Sequence, residues 1–137
     1  MIRLICGPKG TGKTKIILDE IAASVDTAKG DIVFITDKKK DFSRGINFNV
    51  RVLYTEEFGV NCPTAFGGFV KGLMAGNSDI EYLYIDGLMK IIGSDDEAFK
   101  SFLDTVAALE KEYNLSAIIT ISKVKEELPE EYRAFAD

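Results

Sequence analysis

The chain alternates short, solidly apolar runs with longer segments in which apolar residues recur at helical spacing. Runs that are apolar on both faces are typical of strands buried inside a parallel sheet. They predict strands at Ile2–Cys6, Ile32–Thr36, Val50–Tyr54, Tyr82–Ile85 and Ala117–Ile121. The helical spacing predicts helices over residues 13–25 and 63–75, a long helix that Ser94 and Glu97 begin as a capping box, and a short C-terminal helix from Pro129.

Strands that alternate with helices along a chain pair in parallel through right-handed crossovers. The pattern therefore predicts an α/β fold, a three-layer α/β/α sandwich with a mainly parallel sheet. The length of 137 residues suits one domain, residues 1–137. Ligands of such sheets bind beyond the carboxyl ends of the strands, so candidate functional residues should follow Cys6, Thr36, Tyr54, Ile85 and Ile121.

Composition and charge exclude several classes of function. The 17 basic residues against 22 acidic ones give a net charge of −5, which argues against a nucleic-acid-binding protein. The chain has no histidine, which excludes histidine-based acid–base catalysis, and Cys6 and Cys62 lack the spacing of a structural zinc site. No apolar run approaches the roughly 20 residues that cross a bilayer, and the first residues do not resemble a signal peptide. We therefore expect a cytoplasmic protein without a membrane segment.

A glycine-rich sequence follows the first predicted strand directly. It reads Gly7-Pro8-Lys9-Gly10-Thr11-Gly12-Lys13-Thr14 and satisfies G-x-x-x-x-G-K-[ST] at every specified position. A loop that wraps a phosphate chain with backbone N–H groups needs a close approach, which Gly10 and Gly12 allow. Lys13 would bind the β- and γ-phosphates, and the Thr14 hydroxyl would face Mg²⁺. We call residues 7–14 the phosphate-binding loop.

Asp86 is the second candidate, because it follows the apolar strand Tyr82–Ile85 directly. Apolar residues followed by Asp resemble a Walker B segment, in which the carboxylate holds Mg²⁺ through water. An Asp before a glycine such as Gly87 is also common in plain turns, so the pattern has two interpretations. Beside a phosphate-binding loop, the first interpretation predicts Thr14 and Asp86 as the metal ligands.

On these residues the chain resembles the P-loop NTPase superfamily, and in particular a small RecA-like bacterial ATP-binding protein. The resemblance covers most of the chain and implies ATP and Mg²⁺ as cofactors. It also implies that Ser122, after the last strand, stands where a sensor side chain contacts the γ-phosphate; the alternative is an ordinary surface serine. A RecA-like core further implies that strand 117–121 lies between strands 2–6 and 81–85. Direct pairing of strands 2–6 and 81–85 would indicate the kinase–GTPase group instead.

The sequence departs from that family at the position of its catalytic glutamate. RecA-like and AAA-type ATPases commonly have a catalytic Glu directly after the Walker B Asp, where this chain has Gly87, or at the end of a neighbouring strand, as in RecA-type enzymes. Asp37 after the second strand, or Glu56 and Glu57 after the third, could replace that Glu, and Asp37 and Glu56 are the two that we retain; each could instead be a solvated loop acid. The catalytic candidates are therefore Lys13, Asp37, Glu56 and Ser122. The four arginines lie in no recognisable finger motif, so hydrolysis should be slow without a partner.

These residues predict an ATP-binding protein with slow Mg²⁺-dependent ATPase activity, stimulated by a partner or by the neighbouring subunit of a homo-oligomer. ATP is expected rather than GTP, because no N/T-K-x-D segment is present to bind guanine. One alternative is a nucleotide-gated binding module, whose apolar segment Leu88–Ile92 moves with the γ-phosphate and binds a protein. That segment could instead be a helical turn packed on the core. Another alternative is a small-molecule, nucleoside-type kinase, although the chain lacks the zinc ribbon of thymidine-kinase-type enzymes.

Overall fold

Strands and helices alternate along the computed structural model, which describes residues 1–39 and 46–136. The strands are β1 (Ile2–Cys6), β2 (Asp31–Thr36), β3 (Val50–Tyr54), β4 (Ile80–Ile85) and β5 (Ser116–Ile121). The α-helices are α1 (Lys13–Val25), α2 (Pro63–Gly76), α3 (Leu88–Ile92) and α4 (Asp96–Tyr113), and 3₁₀ helices cover Thr55–Phe58, Lys125–Glu127 and Glu130–Phe135. None of the helices within the described ranges is both long and apolar enough to cross a membrane.

The strands form one five-stranded sheet in the order β1-β5-β4-β2-β3. Every pairing between these strands is parallel, as in the registers Leu4↔Ile119, Leu83↔Ala117 and Ile35↔Ile85. The α/β class and the parallel sheet predicted from the sequence are therefore confirmed. The last strand, β5, lies between β1 and β4, which is the position that the RecA-like resemblance implies for it.

Helices cover both faces of the sheet. Because successive side chains of a strand point to opposite faces, β2 contributes to two separate apolar clusters. Phe34 packs with Ile17 and Ile21 of α1, whereas Val33 and Ile35 belong to the cluster that α2, α3 and α4 cover. This arrangement is compatible with the predicted three-layer α/β/α sandwich.

The long helix α4 begins and ends at residues with specific backbone roles. Its N-cap is Asp95, whose carboxylate accepts a hydrogen bond from the Ala98 N–H at 3.1 Å. The predicted capping by Ser94 is therefore wrong by one residue; an Asp at the N-cap supplies the same kind of side-chain acceptor. Asn114 ends the helix in the left-handed region, with φ 54°. On its buried face, Phe102 stacks on Phe66 of α2 with ring centroids 4.7 Å apart.

Tyr132 anchors the C-terminal 3₁₀ helix to α4. Its ring meets the ring of Phe99 edge-on, with the two centroids 5.6 Å apart, and its hydroxyl donates a hydrogen bond to Asp104 Oδ1 at 2.6 Å. Burial, followed by the hydrogen bond and the charge of Asp104, raises the pKa of the Tyr132 hydroxyl well above its ordinary value of 10.0. Tyr132 is buried in this contact, with an exposed fraction of 7%.

We expect Tyr132→Phe to lower the free energy of unfolding by about 1 kcal/mol near neutral pH, because it removes one hydrogen bond to a carboxylate. Wild type should lose this advantage as the pH rises above 10. The reason is that the tyrosine of the unfolded chain, with its ordinary pKa, ionises first and draws the equilibrium towards unfolding. Urea denaturation at about pH 8 and about pH 11 measures both effects. Tyr113→Phe is the control, and an equal deficit of Tyr132→Phe at both pH values would contradict this account.

Candidate functional site

The phosphate-binding loop connects the carboxyl end of β1 to the first turn of α1. Gly10 and Gly12 have φ angles of 78° and 83°, so both lie in the left-handed region that disfavours any residue with a Cβ. The Gly7 N–H donates to the Lys123 carbonyl at 2.9 Å, which ties the start of the loop to the segment after β5. The glycines at these sequence positions are thus required by the backbone conformation of the loop.

Lys13 folds back over the loop that precedes it. Its ammonium group donates to the carbonyl oxygens of Gly7 at 2.6 Å and Pro8 at 2.7 Å. The Thr11 hydroxyl donates to the same Pro8 carbonyl at 2.7 Å. Burial lowers the pKa of the Lys13 ammonium, and the negative charge of Asp86 acts in the opposite direction. A partly desolvated cation held only by neutral carbonyls gains energy when anionic oxygens take their place.

Asp86 is buried at the end of β4, where hydrogen bonds from both sides fix its carboxylate. Its exposed fraction is 8%. The Thr14 hydroxyl donates to Oδ2 at 3.0 Å, and the Thr120 hydroxyl donates to Oδ1 at 2.7 Å. The Thr120 oxygen in turn accepts from the Gly87 N–H at 2.7 Å. The structure therefore brings together the two residues that the sequence predicts as metal ligands, Thr14 and Asp86.

Thr120 is a residue of this site that the sequence analysis missed. It lies inside β5, where it is 1% exposed, and β5 places it between the strands that carry the phosphate-binding loop and Asp86. Its signal in the sequence is a hydroxyl in the otherwise apolar run Ala-Ile-Ile-Thr-Ile. A buried hydroxyl needs a hydrogen-bond partner, so a polar residue inside such a strand indicates a partner at the strand end.

A pocket of about 260 Å³ lies over the loop and the ends of β4 and β5. Its lining consists of Lys9, Gly10, Gly12, Lys13, Thr14, Asp86, Gly87, Lys90, Thr120 and Ser122. Three of these side chains are cationic and one is a carboxylate, so the lining favours an anionic ligand. We call it the loop pocket. Ser122 is among the lining residues, and its role as a sensor side chain stays a prediction.

The two acidic candidates, Asp37 and Glu56, lie outside the loop pocket. They line a neighbouring pocket of about 210 Å³ beyond the ends of β2 and β3, together with Lys38, Thr55, Gly59, Val60, Asn61 and Lys90. The Glu56 N–H donates to the Asp37 carbonyl at 2.9 Å, which holds the two residues next to each other. We call this the acidic pocket. Lys90 lines both pockets, so they adjoin each other at that side chain.

The apolar segment after Asp86 is the helix α3, Leu88–Ile92. Its residues Leu88, Ile91 and Ile92 are buried in the core. This matches the interpretation of the segment as a helical turn on the core. A partner could reach these three side chains only if α3 moved, so the partner surface suggested by the sequence stays a prediction.

Comparison with known proteins identifies no family for this chain. No protein-family model matches it, and no curated protein matches it either. The residues and geometry of the loop pocket and the acidic pocket are therefore the indications of what the chain does.

Proposed function

We propose that the chain is an ATP-binding protein with slow, Mg²⁺-dependent ATPase activity that a partner stimulates. One observation carries the proposal: the Thr14 hydroxyl lies 3.0 Å from the Asp86 carboxylate, beside the loop that holds Lys13. Thr14 and Asp86 are 72 residues apart in the sequence, and the P-loop NTPase resemblance predicts this pair as the ligands of Mg²⁺. Their contact supports that resemblance.

The strand order supports a RecA-like core within the P-loop NTPases. The strand that ends in Ser122, β5, lies between the strand that leads into the phosphate-binding loop and the strand that ends in Asp86. In an enzyme of the kinase–GTPase group, the strands that correspond to β1 and β4 would instead pair directly with each other. The inserted strand also contributes Thr120 and Ser122 to the loop pocket.

The residues of the loop pocket fit a nucleotide with Mg²⁺. Thr14 and Asp86 offer hydroxyl and carboxylate oxygens, which are the ligands that Mg²⁺ prefers, and it commonly takes only one or two of them beside phosphate oxygens. Bound there, Mg²⁺ would neutralise charge on the phosphates. Lys13 would exchange its contacts with the Gly7 and Pro8 carbonyls for phosphate oxygens, while the first turn of α1 directs backbone N–H groups at the same charge.

We expect hydrolysis to be slow because the described lining of the loop pocket includes neither a glutamate to orient water nor an arginine. Gly87 has no side chain to orient water, and the acids that could replace a catalytic Glu, Asp37 and Glu56, belong to the adjoining acidic pocket. Arg44 lies outside the described residues, and the other three arginines do not line the loop pocket. An arginine from a protein partner, or from the neighbouring subunit of a homo-oligomer, would supply the missing stabilisation of transition-state charge.

The acidic pocket favours one second candidate, a small-molecule kinase. It adjoins the loop pocket at Lys90 and offers carboxylate and amide groups, from Asp37, Glu56 and Asn61, to an acceptor with hydroxyl or amino groups. A kinase transfers the γ-phosphoryl group to such an acceptor and forms ADP without releasing phosphate. The two functions therefore differ in a product that can be measured.

Equilibrium titration of the purified protein with Mg-ATP, Mg-GTP and ATP without Mg²⁺ tests the proposal. We expect saturable binding of Mg-ATP, with weaker binding when Mg²⁺ is removed, and slow phosphate release under the same conditions. Binding of Mg-ATP without phosphate release would favour a nucleotide-gated module, or a kinase if ADP accumulates when hydroxyl acceptors are added. A protein that binds no nucleotide in any of these titrations would contradict the proposal.

A further inference from the structure

Gly87 leaves space at the end of β4, and the side chain of Lys90 fills it. Gly87 has φ 76°, and a Cβ attached to it would lie 3.3 Å from Lys90 Cδ and 3.6 Å from Lys90 Cγ. A longer side chain at position 87 would begin in the space that the methylene groups of Lys90 occupy. Where many ATPases have a carboxylate after the Walker B Asp, this chain has the stem of a lysine.

The backbone of Lys90 is fixed by its neighbours in α3. Leu88, Ile91 and Ile92 are 0%, 2% and 6% exposed, so the helix is anchored in the core on both sides of Lys90. The Lys90 N–H donates to the Gly87 carbonyl at 2.9 Å, which closes the turn between the two residues. The side chain of Lys90 itself is exposed, so its ammonium group stays accessible to a ligand in either pocket.

The Lys90 ammonium makes no hydrogen bond or ion pair with any residue in the described ranges 1–39 and 46–136. Lys13 and Asp86 differ in this respect, because Lys13 donates to two carbonyls and Asp86 accepts from two hydroxyls. Burial is the main cause that lowers the pKa of Lys13, and the positive charge of Lys90 lowers it further by a smaller amount. An anion bound between Lys13 and Lys90 would attract both cations and offset their mutual repulsion.

We propose that Lys90 contacts the terminal phosphate of the bound nucleotide and supplies, from within the same chain, part of the positive charge that other ATPases take from an arginine finger, the rest coming from a partner. This inference rests on the proposed function, because it needs a nucleotide in the loop pocket. The ammonium group acts on the phosphoryl group alone: it stabilises charge on the γ-phosphate oxygens and cannot accept a proton from water while it is protonated. Water would still have to be oriented from the side of Asp37 and Glu56, across the border between the two pockets.

The test is Lys90→Met, which keeps the stem over Gly87 and removes the charge. We compare its affinity for Mg²⁺ with a non-hydrolysable ATP analogue and for Mg-ADP, by calorimetric titration. Lys71→Met is the matched control, because Lys71 is an exposed lysine of α2 and does not line the loop pocket. A single-turnover measurement of ATP cleavage at saturating nucleotide adds a kinetic readout.

We expect Lys90→Met to weaken binding of the triphosphate analogue by about tenfold or more, because a charged hydrogen bond to the γ-phosphate is lost. Affinity for ADP should change by less than about twofold, and Lys71→Met should match wild type in both titrations. The single-turnover rate of Lys90→Met should fall by at least about tenfold.

Two other results would overturn the inference. Equal affinities of Lys90→Met and wild type for the triphosphate analogue would mean that Lys90 does not contact the γ-phosphate. Equal weakening of triphosphate and diphosphate binding would mean that it acts on the pocket as a whole, for example by pairing with Asp37 or Glu56. In both cases the wild-type protein still binds nucleotide, so the proposed function stands; a wild-type protein that binds neither nucleotide refutes both.

Discussion

Lys13→Ala is expected to abolish specific binding of Mg-ATP, with a loss of affinity of at least about hundredfold. The ammonium group of Lys13 lies over the phosphate-binding loop, 2.6 Å from the carbonyl oxygen of Gly7 and 2.7 Å from that of Pro8. In the free protein it is partly desolvated and has no anionic partner at these distances, so most of its interaction energy becomes available when phosphate binds. A charged hydrogen bond contributes about 1.5–3 kcal/mol, and Lys13 can make more than one. Calorimetric titration with Mg-ATP measures the loss directly.

Lys15→Ala is the control for this prediction. Lys15 lies two residues further along α1, is exposed, and pairs with Asp19 at 2.9 Å. Such a surface pair contributes little to stability, and its removal changes the net charge of the protein by the same amount as Lys13→Ala. We expect Lys15→Ala to bind Mg-ATP within about twofold of wild type. Retention of Mg-ATP binding by Lys13→Ala would show that the glycine-rich loop is not the nucleotide site.

Lys13→Ala should also leave the fold intact or stabilise it slightly. Burial lowers the pKa of the Lys13 ammonium, which means that the folded protein disfavours the charged form relative to the unfolded chain. The protein therefore gains stability as the pH rises towards the ordinary pKa of lysine and loses it at lower pH. Removing the side chain removes that cost, so a loss of Mg-ATP binding cannot be attributed to unfolding if thermal denaturation of the variant is unchanged.

The phosphate-binding loop could be predicted residue by residue because its contacts are local. Lys13 reaches carbonyls five and six residues earlier, and the left-handed angles of Gly10 and Gly12 are a property of those residues alone. Strands β2 and β5 were predictable for a similar reason: residues buried on both faces form solid apolar runs. Short-range spacing in the sequence therefore carries enough information for each of these features.

The positions of the other candidates depend on which strands are neighbours, which periodicity does not encode. Asp37 and Glu56 follow strands as predicted, but β2 and β3 are the fourth and fifth strands counted from β1 in the sheet order. Their acids therefore lie beside the loop pocket rather than in it. Thr120 was missed for the converse reason, because the insertion of β5 between β1 and β4 brings its hydroxyl to Asp86. The proposed contact of Lys90 with phosphate could not be predicted from the sequence, because it depends on the segment after Gly87 forming a helix.

Asp86→Asn is expected to reduce Mg²⁺-dependent ATP turnover by about hundredfold or more while leaving the protein folded. The carboxylate is the single negative charge of the loop pocket lining, and Mg²⁺ loses an ionic ligand when an amide replaces it. The amide has the same shape and keeps one oxygen acceptor for the hydroxyl of Thr14 or Thr120. Both hydroxyls can rotate, so one of them can accept from the new NH₂ group instead.

The free energy of unfolding distinguishes the loss of a Mg²⁺ ligand from a general destabilisation of the fold by Asp86→Asn. The hydrogen-bond partners of the buried Asp86 carboxylate are neutral hydroxyls, so removing its charge relieves a desolvation cost but also removes the attraction between Asp86 and Lys13. Because these two effects oppose each other, we expect the free energy of unfolding of Asp86→Asn, without nucleotide, to stay close to that of wild type. Active sites commonly retain such unfavourable groups, because the ligand compensates for them only when it is bound. Asp79→Asn, the same change at the exposed amino end of β4, should alter neither turnover nor stability.

The decisive measurement is turnover as a function of Mg²⁺ concentration at fixed ATP. Wild type should show a saturable rise, and Asp86→Asn should show little response over the same range, because a neutral amide oxygen binds Mg²⁺ much more weakly than a carboxylate does. If the variant kept the wild-type Mg²⁺ dependence at a reduced rate, Asp86 would act by positioning Thr14 and Thr120 instead. That outcome would mean that the 3.0 Å contact between Thr14 and Asp86 does not mark a metal site. The proposed ATPase would then lose its main structural support.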